Sequence, residues 1–310
     1  SGVISGQIVG VLAQGASASL DNFGVISANA AGGAGAELDA GGFVTNESGA
    51  TLSGTAYGVF IGGGTVANAG TISGASYAVK FTGTNAANRL IVEPGAAFSG
   101  AIGGADSGNN TLEFANGTTG TLNGVSGGSG TATPTSGTAW SFFHNFSTIA
   151  VDAGANWTFN GSNTVSELTD NGTVGISGSL DLSSIDPAST GVFALGGATL
   201  EVASALGTDE QIAFSANSDL TVDDTASFGI NVGTGSYQGP TLQDFASGDS
   251  IDLKNFASAG ATSSYDSSTG LLQIGNGTSH ATLHFANATL GSGSFQVASD
   301  GGTGTSILLG

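Results

Sequence analysis

Apolar and polar residues alternate along this chain in short runs. Thr71-Ile72-Ser73 and Leu180-Asp181-Leu182 carry the two-residue period that places every second side chain on one face of a strand. No long window carries a 3.6-residue period, and Gly, Ser, Thr and Asn dominate, so helix is disfavoured throughout. The pattern predicts many short strands joined by tight corners.

The corners repeat. A motif close to Asn-x-Gly-x-(Ile/Leu)-Ser-Gly appears around Gly2-Val3-Ile4-Ser5-Gly6, Asn22-Phe23-Gly24-Val25-Ile26-Ser27 and Asn68-Ala69-Gly70-Thr71-Ile72-Ser73-Gly74. With one inserted residue it returns at Asn46-Glu47-Ser48-Gly49-Ala50-Thr51-Leu52-Ser53-Gly54, and weaker echoes follow at Gly95–Gly100, Leu122-Asn123-Gly124 and Asn171–Gly178. Its central apolar residue recurs at intervals of 22 (4 to 26), 26 (26 to 52), 20 (52 to 72), 26 (72 to 98) and 24 (98 to 122). Such spacing fits coils of a solenoid with variable loops. Asn and Gly suit the corners because both tolerate positive φ, and stacked Asn side chains can form hydrogen-bonded ladders between coils. The expected fold is all-β: a parallel β-helix or β-solenoid, with irregular C-terminal coils.

Four segments are expected. Residues 1–125 hold the regular coils, and 126–148 hold a Gly/Ser/Thr-rich excursion (126–139) followed by an aromatic burst. Residues 149–240 continue the coils with a different texture, and 241–310 form an acidic C-terminal β module.

Composition narrows the function. Charged residues make up 8% of 310, against roughly a quarter in ordinary domains, and the only Lys and Arg are Lys80, Arg89 and Lys254. A net charge of −20 argues against nucleic-acid partners and anionic membranes, since nothing could neutralise phosphates. With no Cys, thiol catalysis and disulfides are excluded. No run reaches the ~18–20 apolar residues of a membrane span. Scarce Lys and Arg and absent Met and Cys leave few sites for trypsin-like proteases or oxidation, which suits a durable extracellular material.

The repeats around Asn22, Asn46 and Asn68 resemble passenger domains of autotransporters and haemagglutinin-like surface proteins of Gram-negative bacteria. The tail, with Phe245-Ala246-Ser247-Gly248-Asp249-Ser250-Ile251-Asp252-Leu253 and Asp300-Gly301-Gly302-Thr303-Gly304-Thr305, is similar to C-terminal modules of very large repetitive secreted proteins. The resemblance implies a right-handed parallel β-helix, an extracellular or cell-surface location, and adhesion, biofilm or fibre roles. It departs from the full autotransporter pattern because no amphipathic membrane barrel follows Gly310, which leaves the export route open.

No catalytic residues and no cofactor are expected. The acid pairs Asp209/Glu210, Asp223/Asp224 and Asp249/Asp252 sit in no catalytic motif and read as turn or strand-face carboxylates. His280 and His284 fall on one strand face about 13 Å apart, too far to share a metal ion, and His144 reads as packing. Asp244, Asp249, Asp252 and Asp300 lie beside tight turns and offer the hard oxygens calcium takes, although no serial calcium-binding repeat is present. Trp140, Phe142, Phe143 and Trp157 are candidates for a glycan or interchain contact, or for a plug where the repeat breaks.

Both ends read as uncapped. Val3 and Ile4 lie in rung-like sequence from the start, as in a chain whose leader has been removed or a fragment of a longer passenger. Ile307, Leu308 and Leu309 form an apolar strand near the other end. Bare edges pair with other chains. The leading expectation is thus head-to-tail self-assembly into an extracellular fibre or matrix. The alternatives are an adhesin segment binding glycans or host surfaces, and, third, a polysaccharide-degrading β-helix enzyme.

Overall fold

A computed structural model describes residues 2–84, 86–136, 138–140, 142–228, 237–286, 290 and 294–310. Gly137, in the small-residue stretch 126–139, lies outside the described residues. Among the described residues the chain is all-β apart from a four-residue helical turn at Thr225–Phe228, and it divides into two compact units, Ser1–Trp157 and Thr158–Gly310.

In the first unit the chain visits three parallel stacks in turn. The first joins Val3–Gly6, Val25–Ala28, Thr51–Gly54, the start of Thr71–Phe81 and Ala97–Gly103. Its register pairs Ile4 with Ile26, Ile26 with Leu52, Leu52 with Ile72, and Ile72 with Phe98, the residues at the centre of the repeated motif. The second stack joins Val9–Ala13, Ala34–Leu38, Tyr57–Ile61, the end of Thr71–Phe81, the end of Ala97–Gly103 and Phe143–His144. The third joins Ala18–Asn22, Gly42–Asn46, Gly64–Asn68, Ala87–Val92, Asn109–Phe114 and Thr148–Val151. Every second residue points inward, so Ile26, Leu52 and Ile72 meet Val59, Val79, Val66 and Leu90 in one buried core. Each such side chain contributes about 1.5–3 kcal/mol by leaving water.

Polar ladders fix the register of the third stack. Asn22 Nδ2 donates to Asn46 Oδ1 at 2.8 Å, and Asn46 Nδ2 donates to Asn68 Oδ1 at 2.8 Å, all three residues being buried. Asn88 Nδ2 donates to Asn110 Oδ1 at 2.7 Å in a second ladder. A one-residue slip would break every rung, which is why the corner demands Asn. The next corner is also repeated: Glu47–Ala50, Glu93–Ala96 and Asp152–Ala155 are turns closed by a backbone bond from the fourth residue to the first. Gly49, Gly95 and Gly154 sit at the third position with φ of 76°, 92° and 83°, and Pro94 at the second, as a type II turn requires.

The stretch 126–139 supplies the second arm of an antiparallel hairpin, Thr119–Ser126 against Ser129–Pro134. Leu122, at the end of the 24-residue interval, thus lies in that hairpin and pairs with Ala132.

In the second unit two parallel stacks run side by side. One joins Val174, Phe193, Ile212, Leu242 and Phe285, and the other joins Leu180, Leu200, Leu220 and Ile251. Both stacks then change direction. Ser250–Leu253 pairs antiparallel with Thr305–Leu309, which pairs antiparallel with Phe295–Ser299. On the other side, His280–Phe285 pairs antiparallel with Leu271–Gly275, and that strand with Thr262–Asp266. The parallel stacks of this unit therefore finish against antiparallel strands.

Candidate functional site

The aromatic residues singled out from the sequence separate into a plug and a surface group. Trp140, Phe143 and Trp157 are buried. Trp157 stacks on Phe114 at 3.9 Å, its Nε1 donates to Thr118 Oγ1 at 3.0 Å, and Trp140 meets Phe98 edge-on at 5.0 Å. These rings fill the core beside the hairpin and have no face to offer a ligand. Phe142 alone of the four is exposed, at 43%, and stacks on His144 at 5.5 Å.

That contact opens a stripe that sequence reading did not assemble. His144 lies 5.8 Å from Tyr77, and Tyr77 stacks on Tyr57 at 6.1 Å with the ring planes 8° apart. Register builds it: Tyr57 pairs with Tyr77 across the second stack, and His144 pairs with Gly103, itself opposite Lys80. A Cβ on Gly103 would lie 2.9 Å from His144 Nε2 and 3.0 Å from Tyr77 Cε1, so the glycine lets these side chains close over it. Lys80 extends over the Tyr77 ring at 5.4 Å, donates to the Gly104 carbonyl at 3.1 Å and lies 3.9 Å from Asp106. The one available signal was Tyr recurring at 20 residues (57 to 77) in matching copies of the repeat. The stripe presents ring edges, hydroxyls and one ammonium, a set suited to a polar, hydroxylated ligand.

The proposed calcium ligands are scattered in their roles. Asp249 is buried, and its two oxygens accept N–H bonds from Ser218 at 2.8 Å and Ala246 at 2.9 Å. Asp300 closes its own turn, accepting from Gly302 at 2.6 Å and Gly304 at 3.1 Å. Asp244 is exposed at a φ of 57°. Asp252 is pushed upward in pKa by burial and by the charge of Asp300, with Lys254 opposing. Lys254 is bound to Glu201 and lies 3.0 Å from Asp223. The described residues contain no group of three or more His, Asp or Glu side chains arranged to hold a metal ion.

His284 Nδ1 lies 3.2 Å from Thr241 Oγ1, and its ring is 5.4 Å from Tyr237. With Thr208 and Thr269 they line a cavity of about 440 Å³. Burial pushes the His284 pKa below the ordinary imidazole value. His280 is exposed.

The expected assembly strands differ from each other. Val3 is 75% and Ile4 49% exposed on a strand bonded on one side, to Val25–Ala28. Ile8 and Leu12, in the neighbouring turn and strand, are also exposed. Ile307 is fully buried, and Thr305–Leu309, with Leu308 and Leu309, is bonded on both sides. Its backbone is already spent, so this strand offers no free edge. A strand's own sequence does not encode which neighbours will cover it.

No family model matches this chain, and no curated protein matches its sequence.

Proposed function

We propose that the chain is a right-handed β-solenoid that serves outside the cell as a structural scaffold without catalysis, extending by the pairing of coil on coil. The observation that carries this reading is the outer edge formed by Val3–Gly6, Val9–Ala13 and Ala18–Asn22. Each is bonded in parallel to one partner, and Val3, Ile4, Ile8 and Leu12 stand exposed beside it. Such an edge is completed by a further coil, from preceding polypeptide or from a second chain. The scarcity of Lys, Arg, Met and Cys supports an extracellular setting.

At the other end Thr305–Leu309 is bonded on both sides, and among the described residues the free edge passes to Phe295–Ser299, which is bonded to Thr305–Leu309 alone. Association of this chain with itself would complete the Val3–Gly6 edge with a strand of a second copy. Sedimentation velocity over a hundredfold concentration range tests it. Concentration-dependent dimers that vanish in Ile4→Lys/Ile8→Lys support the reading, and monomers at every concentration overturn it.

An adhesive role is the second reading, favoured by the Tyr57–Tyr77–His144–Phe142 stripe with Lys80. Glycan-array binding lost in Tyr77→Ala would support it.

A further inference from the structure

The Asn corner of the first unit has a counterpart in the second with a different side chain. Gly24 and Gly70 donate their N–H to Asn22 Oδ1 and Asn68 Oδ1, and Gly172 donates to Asp170 Oδ1 at 3.0 Å in the same way. Asp170 thus occupies the position of a ladder Asn while lacking the amide hydrogens that reach the next coil.

What stands beside it is another acid. Asp170 and Glu210 are both 0% exposed, and each carboxyl bears on the ionisation of the other. Asp170 Oδ2 and both Glu210 oxygens accept no well-formed hydrogen bond among the described residues, although the Gly191 backbone lies close enough to Glu210 to favour its charged form. Gly191 is pressed against Asp170: a Cβ there would lie 2.4 Å from Asp170 Cγ. Its N–H donates to the Asp170 carbonyl at 3.0 Å, and its own carbonyl accepts from Gln211, the neighbour of Glu210, at 3.1 Å, so Gly191 joins the two backbone segments that carry the acids.

No positive charge is present to compensate. Lys80 is held by Gly104 and Asp106, Arg89 by Glu113, and Lys254 by Glu201 and Asp223. The titratable groups on the surrounding segments are Glu167 on the strand of Asp170, Asp186 bonded to Leu168, Asp209 beside Glu210, and His284 beyond Thr241. Three are acids, and burial disfavours the charged form of His284. A hard divalent cation takes six or more oxygens, and the described residues gather no three-acid group for one. Two carboxylates in such a place cannot both ionise; one proton between them resolves the conflict.

We propose that Asp170 and Glu210 form a proton-locked pair, in which Glu210 stays protonated and donates its O–H to Asp170 Oδ2 in place of the Asn–Asn amide bond. Loss of that proton loosens the coils from Glu167 to Ala213. Burial raises both groups, Asp170 to about 7 and Glu210 to about 9, and they titrate as a pair. Because the folded-state values lie above the ordinary carboxyl range, the stability they contribute is full below about pH 4. It is lost as pH rises through about 7 and then about 9. Between those values opening releases about one proton, so the local opening constant rises about tenfold per pH unit.

Hydrogen exchange of the full chain between about pH 5 and pH 9.5, corrected for intrinsic exchange, reads this directly. Peptides covering Glu167–Gly191 and Thr208–Ala213 are expected to open about tenfold more per pH unit from about 7 to 9, while those covering Asn22–Asn68 stay level. Glu210→Gln, which supplies an amide donor, and Asp170→Asn/Glu210→Gln are both expected to abolish the slope. A level wild-type profile, an equal slope in the Asn22–Asn68 peptides, or a slope retained in Glu210→Gln would each overturn the proposal. So would a slope that millimolar calcium removes and EDTA restores, since a cation would then hold the pair.

Discussion

Replacing Asn46 by Ala cuts the polar ladder of the first unit at its middle. Four hydrogen bonds go: Asn22 Nδ2 to Asn46 Oδ1 at 2.8 Å, Asn46 Nδ2 to Asn68 Oδ1 at 2.8 Å, and Asn46 Nδ2 to the carbonyls of Thr71 at 3.1 Å and Ala50 at 3.4 Å, which share one hydrogen. The neighbours are not wholly orphaned. Asn22 Nδ2 still reaches the Thr51 carbonyl at 3.0 Å, and Asn68 Oδ1 still accepts from Gly70 at 3.1 Å. At a net value of about 1 kcal/mol per donated hydrogen, the loss is about 3 kcal/mol. Asn46→Asp should cost more at neutral pH, because it adds a buried charge facing Asn68 Oδ1, and should recover partly in acid as the carboxyl protonates. Both tryptophans, Trp140 and Trp157, belong to the first unit and are buried, so urea unfolding followed by tryptophan fluorescence reports that unit alone. An Asn46→Ala variant within about 0.5 kcal/mol of the parent would refute the ladder as a stabilising element.

Other expectations follow from the same contacts. Asp249→Ala leaves the Ser218 and Ala246 N–H groups without an acceptor and should cost about 2–4 kcal/mol in thermal or urea unfolding of the second unit. Gly95→Ala, at a φ of 92°, should cost about 1 kcal/mol in the fluorescence assay, because the strain is conformational and only the Ala69 carbonyl comes close. Arg89→Ala removes the partner of the buried Glu113, whose pKa is already pushed upward by burial against the pull of Arg89. The raised value then lies further above the ordinary range, so the variant should be destabilised by about 1–3 kcal/mol at pH 8 and less at pH 5.

The regular coils were legible because one residue type serves two purposes at each corner. Asn22, Asn46 and Asn68 turn the chain and bond to one another, so the requirement repeats in the sequence and its spacing carries the register. In the second unit the coils also repeat at about the same length, with Leu180, Leu200 and Leu220 each 20 apart (180 to 200, 200 to 220). Their corners use Asp170, Ser218 and Asp249 in different ways, so no shared motif marks them. The antiparallel strands at Thr262–Asp266 through Thr305–Leu309 were illegible for another reason. Period-two alternation is the same for both chain directions, and nothing local in Ser306-Ile307-Leu308 says that two neighbours flank it. The aromatic burst was visible as a cluster, but burial of Trp140 and exposure of Phe142 depend on the hairpin Thr119–Pro134, whose small residues gave no apolar pattern to follow.

The central claim is that successive copies of the motif stack in parallel, one strand spacing apart. Ser5, Ser27, Ser53, Ser73 and Ser99 follow one another in register across the first stack. The chain has no native cysteine, so spin labels on Ser5→Cys/Ser99→Cys report this separation without background. Four spacings of about 4.8 Å predict a narrow distance distribution near 19 Å, lengthened only by the label arms. A broad distribution, or one centred beyond about 35 Å, would contradict the stack.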